Sequence, residues 1–116
     1  DKVVDLKNTS ADWVMLRAAN SQVELFQYHT PAHAPGDPNR PVNKPGFTHI
    51  CLEVTNLQEL YERLLEHGVR FNSEPMDHGD MGCFANYSRD PDGNVIEFVE
   101  YMPGNIESLT SFLPEA

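Results

Sequence analysis

Positive charge is scarce in this sequence. Eight Lys and Arg stand against 18 Asp and Glu, which gives a formal net charge of −10. A protein with this charge repels phosphate backbones and anionic lipids, so neither nucleic acid nor a membrane surface is expected as a partner. A small organic ligand is a more suitable partner for a protein with this net charge.

The sequence also lacks a long apolar run, a basic-then-apolar leader and a cysteine framework. No segment approaches the roughly 18 apolar residues that a membrane span needs. The two cysteines, Cys51 and Cys83, lie in apolar strand-like segments, and two thiols without a secretory context predict reduced, buried side chains. We therefore expect a soluble cytoplasmic protein, with a single domain over residues 1–116.

The first part of the chain predicts a hairpin and then a long loop. Two apolar, β-rich runs at 13–18 and 22–28 flank a short polar turn, and residues 2–6 suggest a further strand. Segment 29–45 contains five prolines and a glycine, which leave no periodic pattern for a helix or a ladder. We interpret this segment as a linker loop that joins two modules or covers a site.

The next part of the chain predicts a strand followed by a helix. The strand is expected at 47–54. Apolar residues then recur at helical spacing, which predicts a helix at about 57–67. Asn56 is expected to cap this helix and Gly68 to end it.

Three further strands complete a βαβββ unit over residues 46–102. They are expected at 69–72, 82–88 and 94–101. Residues 90–93, Asp-Pro-Asp-Gly, form a turn signal between the last two, because proline fixes its own φ and glycine accepts a positive one. The remaining residues, 103–116, are interpreted as a tail.

Two hexamers in different parts of the chain resemble each other. Residues 23–28 read VELFQY and residues 96–101 read IEFVEY, with Glu and Tyr recurring in register. The likeness is either a coincidence between two β-rich segments or the mark of two related modules. In the second case, each module ends on a strand that carries a carboxylate.

Three side chains are candidates for chemistry: Glu24, His49 and Glu97. Alternate residues of a strand share a face, so His49 is directed away from the predicted helix, as the two carboxylates can be. A mid-strand carboxylate among apolar residues is costly to bury unless it is paired, protonated or bound to a metal. These residues therefore indicate either a divalent metal site or an ordinary solvent-facing sheet surface.

Other residues are assigned ordinary roles. Trp13 is expected in the core. The remaining histidines, among them His78 in a predicted turn region, are expected to be solvated.

The motifs at 46–50 (GFTHI), 90–94 (DPDGN) and 95–98 (VIEF) resemble the second βαβββ module of the vicinal oxygen chelate superfamily, and 23–26 (VELF) resembles the end of the first. This superfamily comprises glyoxalases, bleomycin resistance proteins and extradiol dioxygenases. The resemblance implies an α+β fold of paired βαβββ modules forming a curved, U-shaped mixed sheet. Residues 1–28 then form the end of the first module.

The resemblance also implies a site. Metal ligands in the superfamily occupy inward-facing strand positions, and the matching residues are Glu24, His49 and Glu97. The bound ion is expected to be Zn, Ni, Co, Fe or Mn, and the catalytic proton-transfer residue to be Glu97 or Glu24. A homodimer is expected.

One family ligand, often histidine, has no counterpart in the sequence. His49 precedes Glu97 by 48 residues, and the same step back from Glu24 falls before the first residue. The first module is therefore expected to lack its opening strand and helix in this chain.

The implied function is that of a metal-dependent, glyoxalase-like lyase or isomerase acting on a small oxygen-chelating substrate. One alternative is a metal-free protein of the same fold that binds a small molecule or antibiotic, although such a binder has no use for the ligand cluster. An extradiol dioxygenase or an epimerase is another alternative. Glu24 fits both of these alternatives less well. In the dioxygenases the residue at this position does not bind the metal, and in the epimerases glutamine is expected there.

Overall fold

The computed structural model describes residues 2–18 and 20–111. It confirms the predicted α+β class, with seven strands and one α-helix among these residues. The chain divides into two compact units between Gly36 and Asp37, inside the predicted proline-rich loop. In the part of the chain that is described, no helix is long and apolar enough to cross a membrane.

The first unit is the predicted hairpin. Strands β1 (Ser10–Ala18) and β2 (Ser21–Thr30) pair in antiparallel register, and β2 includes the first two residues assigned to the loop. The rings of Trp13 and Phe26 stack with centroids 6.4 Å apart, as expected for cross-strand partners. Two expectations are wrong here. Trp13 is 60% exposed and not a core residue, and residues 2–5 form turns instead of a strand.

The second unit contains the predicted order of one strand, one helix and further strands. Its elements are β3 (His49–Glu53), α1 (Leu57–Glu66), β4 (Arg70–Phe71), β5 (Met76–His78), β6 (Cys83–Arg89), β7 (Val95–Tyr101) and two 3-10 helices at Gly79–Met81 and Leu109–Ser111. Strand β5 is an addition to the prediction. This short strand pairs with β6 in a segment where the sequence indicates a turn.

The five strands form one mixed sheet in the order β3-β7-β6-β4, and β5 also pairs with β6. Strand β3 lies parallel to β7, whereas all the other pairs are antiparallel. Strands β6 and β7 are therefore the central strands, and their side chains are the most buried of the sheet.

Helix α1 has the predicted position, but its first turn is not capped as predicted. Asn56 adopts a left-handed conformation with φ 52° and makes no side-chain cap bond. Instead, the carboxylate of Glu100 in β7 accepts the N–H groups of Asn56 and Leu57 at 2.6 and 3.3 Å. The helix therefore obtains its anionic cap from the sheet.

The C-terminus of α1 follows the prediction. Gly68 has φ 81°, and its N–H donates to the carbonyl of Leu65 at 2.9 Å. The N–H of Val69 donates to the carbonyl of Leu64 at 3.0 Å, which completes a Schellman motif.

The two faces of the second sheet have different neighbours. On one face, the Phe71 ring meets Tyr61 of α1 edge-on at 4.9 Å and Phe98 of β7 at 6.3 Å. On the other face, Cys83, Ala85 and Val99 form a buried cluster. The predicted orientation of β3 is correct for His49, and Ile50, the next residue of the strand, is 48% exposed.

Candidate functional site

The centre of the candidate site is the pair formed by His49 and Glu97. Because β3 lies parallel to β7, Cys51 stands directly beside Glu97, and His49 lies on the same face two residues earlier. The Nε2 atom of His49 is 3.0 Å from Oε2 of Glu97, and the two side chains are 26% and 22% exposed. Two of the three predicted ligands thus meet inside one unit.

Two hydroxyl groups orient the His49 ring. Thr48 Oγ1 lies 2.8 Å from Nδ1, and the Tyr87 hydroxyl lies 3.3 Å from Nε2. The Glu97 carboxylate can only accept, so the hydrogen-bonded pair has its proton on Nε2, and Nδ1 then accepts from the Thr48 hydroxyl. In the other tautomer, Nδ1–H donates to Thr48 and the lone pair of Nε2 becomes available to a metal ion. The Tyr87 ring also packs against the imidazole, with centroids 4.8 Å apart.

These two donors fit a divalent cation. A neutral imidazole nitrogen and a carboxylate oxygen are both suitable ligands, and a hydroxyl on the second ring nitrogen is the kind of support that metal-bound histidines have. Two ligand atoms about 2.1 Å from one ion are roughly 3.0 Å apart in octahedral coordination and roughly 3.4 Å apart in tetrahedral coordination, and the observed separation matches the octahedral value. Within residues 2–18 and 20–111, however, no group of three His, Cys, Asp or Glu side chains is arranged to hold a metal.

The third predicted ligand, Glu24, belongs to the first unit. It lies in β2 opposite Met15 of β1 and is exposed. Its convergence with His49 and Glu97 stays a prediction, as does its catalytic role.

A pocket of about 380 Å³ extends from Glu97 along the face of the sheet that carries Cys83 and Ala85. Its lining residues come from β5, β6, β7 and the segments next to β5: Asn72, Ser73, Met76, His78, Met81, Cys83, Ala85, Asn86, Tyr87 and Glu97. This volume lies in the range of small-molecule sites. His78 is exposed, as expected, but it belongs to strand β5 and not to a turn, and it lines the pocket.

The negative charge of Glu97 influences the groups around it. Burial first, and then Glu97, raises the pKa of the Tyr87 hydroxyl, which therefore stays protonated and able to donate. Cys83 is buried as predicted, whereas Cys51 is more exposed than predicted. Partial burial of Cys51, and then the charge of Glu97, still raise the pKa of its thiol to about 12. Neither group is a ready nucleophile or base at neutral pH.

Tyr87 and Thr48 are site residues that the sequence did not predict. The signal for Tyr87 is alternation along β6, where residues 83, 85 and 87 share the pocket face. That signal becomes informative only when β6 is known to lie beside β7, which the sequence does not reveal.

Comparisons with known proteins agree with this fold. The family model of the Glyoxalase/Bleomycin resistance protein/Dioxygenase superfamily matches residues 2–98. A glyoxalase family protein from Bacillus cereus is 24% identical with a TM-score of 0.77, covering 85% of this chain and 67% of that one. A glyoxylase/bleomycin resistance protein/dioxygenase domain from Frankia sp. is 20% identical with a TM-score of 0.55, covering 81% of this chain and 77% of that one.

At these identities, the likeness to the two solved structures concerns the fold alone. A search of the curated proteins found no match. The match of the family model, in contrast, extends over most of the sequence and includes His49 and Glu97. The chain therefore belongs to the Glyoxalase/Bleomycin resistance protein/Dioxygenase superfamily.

Proposed function

We propose that this protein is a divalent-metal-dependent, glyoxalase-like lyase or isomerase that acts on a small oxygen-chelating substrate. The observation that carries the proposal is the 3.0 Å approach of His49 Nε2 and Glu97 Oε2 beside a pocket of small-molecule size. The two side chains are partly buried and come from adjacent strands, so the sheet fixes their separation.

In this proposal, His49 and Glu97 supply two ligands, and Glu24 supplies a third, within one chain or from a partner in a homodimer. Zn, Ni, Co, Fe and Mn suit such a donor set. A bound ion of this kind supplies a Lewis acid for two neighbouring substrate oxygens.

Side chains of the protein itself orient the ligands, transfer the proton and exclude water. Thr48 would accept the Nδ1–H of His49 and so hold Nε2 in the orientation of a ligand, and the Tyr87 hydroxyl beside it provides a hydrogen-bond donor for the substrate. A carboxylate, Glu97 or Glu24, takes up a proton from the substrate and returns it. The apolar wall of the pocket limits the access of water to that proton.

A second candidate is a metal-free protein that binds small molecules. The observation in its favour is the composition of the wall, where Met76, Met81, Cys83 and Ala85 give the pocket a largely apolar lining. In this case, His49 and Glu97 form an ordinary hydrogen-bonded pair.

Metal titration of the purified protein distinguishes the two candidates. We expect Zn²⁺ or Co²⁺ to bind, and His49→Gln and Glu97→Gln each to weaken binding by at least about tenfold, because a neutral amide is a poorer ligand. His67→Gln and Glu74→Gln are the matched controls, since both alter exposed residues that do not line the pocket. Their affinities should equal that of the parent protein.

The outcomes separate the individual claims. Unchanged affinity in both His49→Gln and Glu97→Gln would refute the metal centre and leave the binding protein as the better account. If these variants lose affinity but Glu24→Gln does not, the pair is correct and the third ligand is wrong. Light scattering over micromolar concentrations checks the dimer, which a strictly monomeric species would exclude.

A further inference from the structure

The pocket beside Glu97 has two chemically different ends. Glu97 and Tyr87, which are register partners on β7 and β6, form the polar end. Strand β5 lies on the far side of β6, two strand spacings or about 9.6 Å from β7. Met76 of β5 and Met81 of the following 3-10 helix form an apolar wall at that end.

Lysine and arginine are absent from the residues that line this pocket. Three arginines of the second unit have partners elsewhere. Arg40 donates to the carbonyls of Pro45 and Phe47, Arg70 donates to Pro38 and Asn39, and Arg89 donates to the carbonyl of Gly93. An anionic group placed against the methionine wall would therefore find no lysine or arginine among the lining residues, and His78 is the only lining side chain that can carry a positive charge.

The electrostatics of the far end lead to the same conclusion. Cys83, the register partner of His78, lines this end of the pocket. Burial raises the pKa of its thiol, and the negative charges of Glu97 and Asp77 raise it further. A site that disfavours a thiolate also disfavours a carboxylate or a phosphate.

We infer that the part of the substrate remote from Glu97 is an uncharged apolar group, preferably aromatic, seated between the side chains of Met76 and Met81. Methionine sulfur makes favourable contacts with the edges of aromatic rings, and its flexible side chain adapts to them. The inference rests on the proposed function only in taking this pocket as the substrate site. It excludes substrates that carry a phosphate or a carboxylate at the remote end.

The test uses two probes with the same hydroxyketone head, in metal-free buffer at pH 8. One is 2-hydroxy-4′-methylacetophenone, and the other, 4-(2-hydroxyacetyl)benzoate, replaces the remote methyl group by a carboxylate. Binding is followed by NMR of the labelled methyl groups of the four methionines. We expect the neutral probe to shift the Met76 and Met81 signals, and the carboxylate probe to bind at least about tenfold more weakly.

A charge variant provides the control. Met76 and Met102 are both 50% exposed, but only Met76 lines the pocket. Met76→Lys should remove the preference for the neutral probe or reverse it, whereas Met102→Lys should retain it. If Met76→Lys does not fold, Met81→Lys serves the same purpose, because Met81 is 66% exposed and also lines the pocket.

Equal or tighter binding of the carboxylate probe to the parent protein would overturn the inference. So would the absence of a shift at both pocket methionines with either probe. Because the buffer contains no metal, these results are independent of the titration of His49 and Glu97. A protein that binds metal and prefers the carboxylate probe refutes only the inference, and one that binds the neutral probe but no metal refutes only the metal-dependent function.

Discussion

Replacement of Glu100 by alanine tests the capping of α1 from the sheet. The carboxylate of Glu100 accepts two backbone N–H groups at the helix N-terminus, at 2.6 and 3.3 Å. Hydrogen bonds to a charged group contribute about 1.5–3 kcal/mol each when well formed, and a carboxylate near a helix N-terminus adds about 0.3–1 kcal/mol. With the second bond long, we expect Glu100→Ala to lower the free energy of unfolding by about 2–3 kcal/mol.

Urea denaturation followed by circular dichroism measures this loss, and thermal unfolding should show a decrease of roughly 10 °C. Glu100→Gln retains one acceptor oxygen without the charge, so we expect about half the effect. Glu74→Ala removes the same charge from an exposed loop residue and is the control. Amide exchange at Leu60, whose N–H makes the first helical bond to Asn56, should accelerate in Glu100→Ala.

The capping argument fails if Glu100→Ala loses no more stability than Glu74→Ala. It also fails if Glu100→Ala is destabilised while exchange at Leu60 is unchanged, because the lost stability would then come from β7 and not from the helix N-terminus.

Three further predictions concern backbone fit and ionisation. Gly93→Ala should lower the free energy of unfolding by about 3 kcal/mol or more, because φ is 87° and an added Cβ would lie 2.3 Å from Pro38 Cα. Unfolding in urea identical to that of the parent protein would contradict this prediction. With its pKa raised to about 12, the Cys51 thiol should react with a disulfide reagent at pH 8 about 40-fold more slowly than an ordinary thiol. Glu97→Gln should accelerate this reaction. A rate as fast as that of the urea-unfolded chain would refute the raised pKa. Cys51 and Cys83 have raised pKa values in the folded state, so their contribution to the free energy of unfolding is complete below about pH 8.5. This contribution should be lost as the pH rises towards 12. Urea denaturation midpoints that stay constant from pH 8 to 11 would disprove this pH dependence.

The meeting of His49 with Glu97 was predicted from the family resemblance, and alternation along β3 contributed only the direction of His49. Alternation directs His49 away from the helix, and the parallel pairing of β3 with β7 brings its imidazole to the carboxylate. The helix was accessible from the sequence, since apolar spacing and Gly68 define its length. Local patterns thus predict which side chains share a face.

Features that depend on distant parts of the chain were not accessible. Glu100 caps a helix that begins 43 residues earlier, and no local signal marks that contact. Strand β5 contains Asp77 and His78, which have a lower β propensity than β-branched residues. It forms a strand because it pairs with β6. Glu24 was assigned by resemblance and stays a prediction.

The parallel pairing of β3 with β7 has a consequence for folding. A ribosome releases the chain from its N-terminus, so β3 and α1 emerge well before the strand that pairs with one and caps the other. Until residue 101 is free, α1 has an uncapped first turn and β3 lacks β7, the strand with which it pairs. We expect a nascent chain that stops before β7 to be largely unstructured and sensitive to protease, and the whole second unit to fold in one late step once β7 is available.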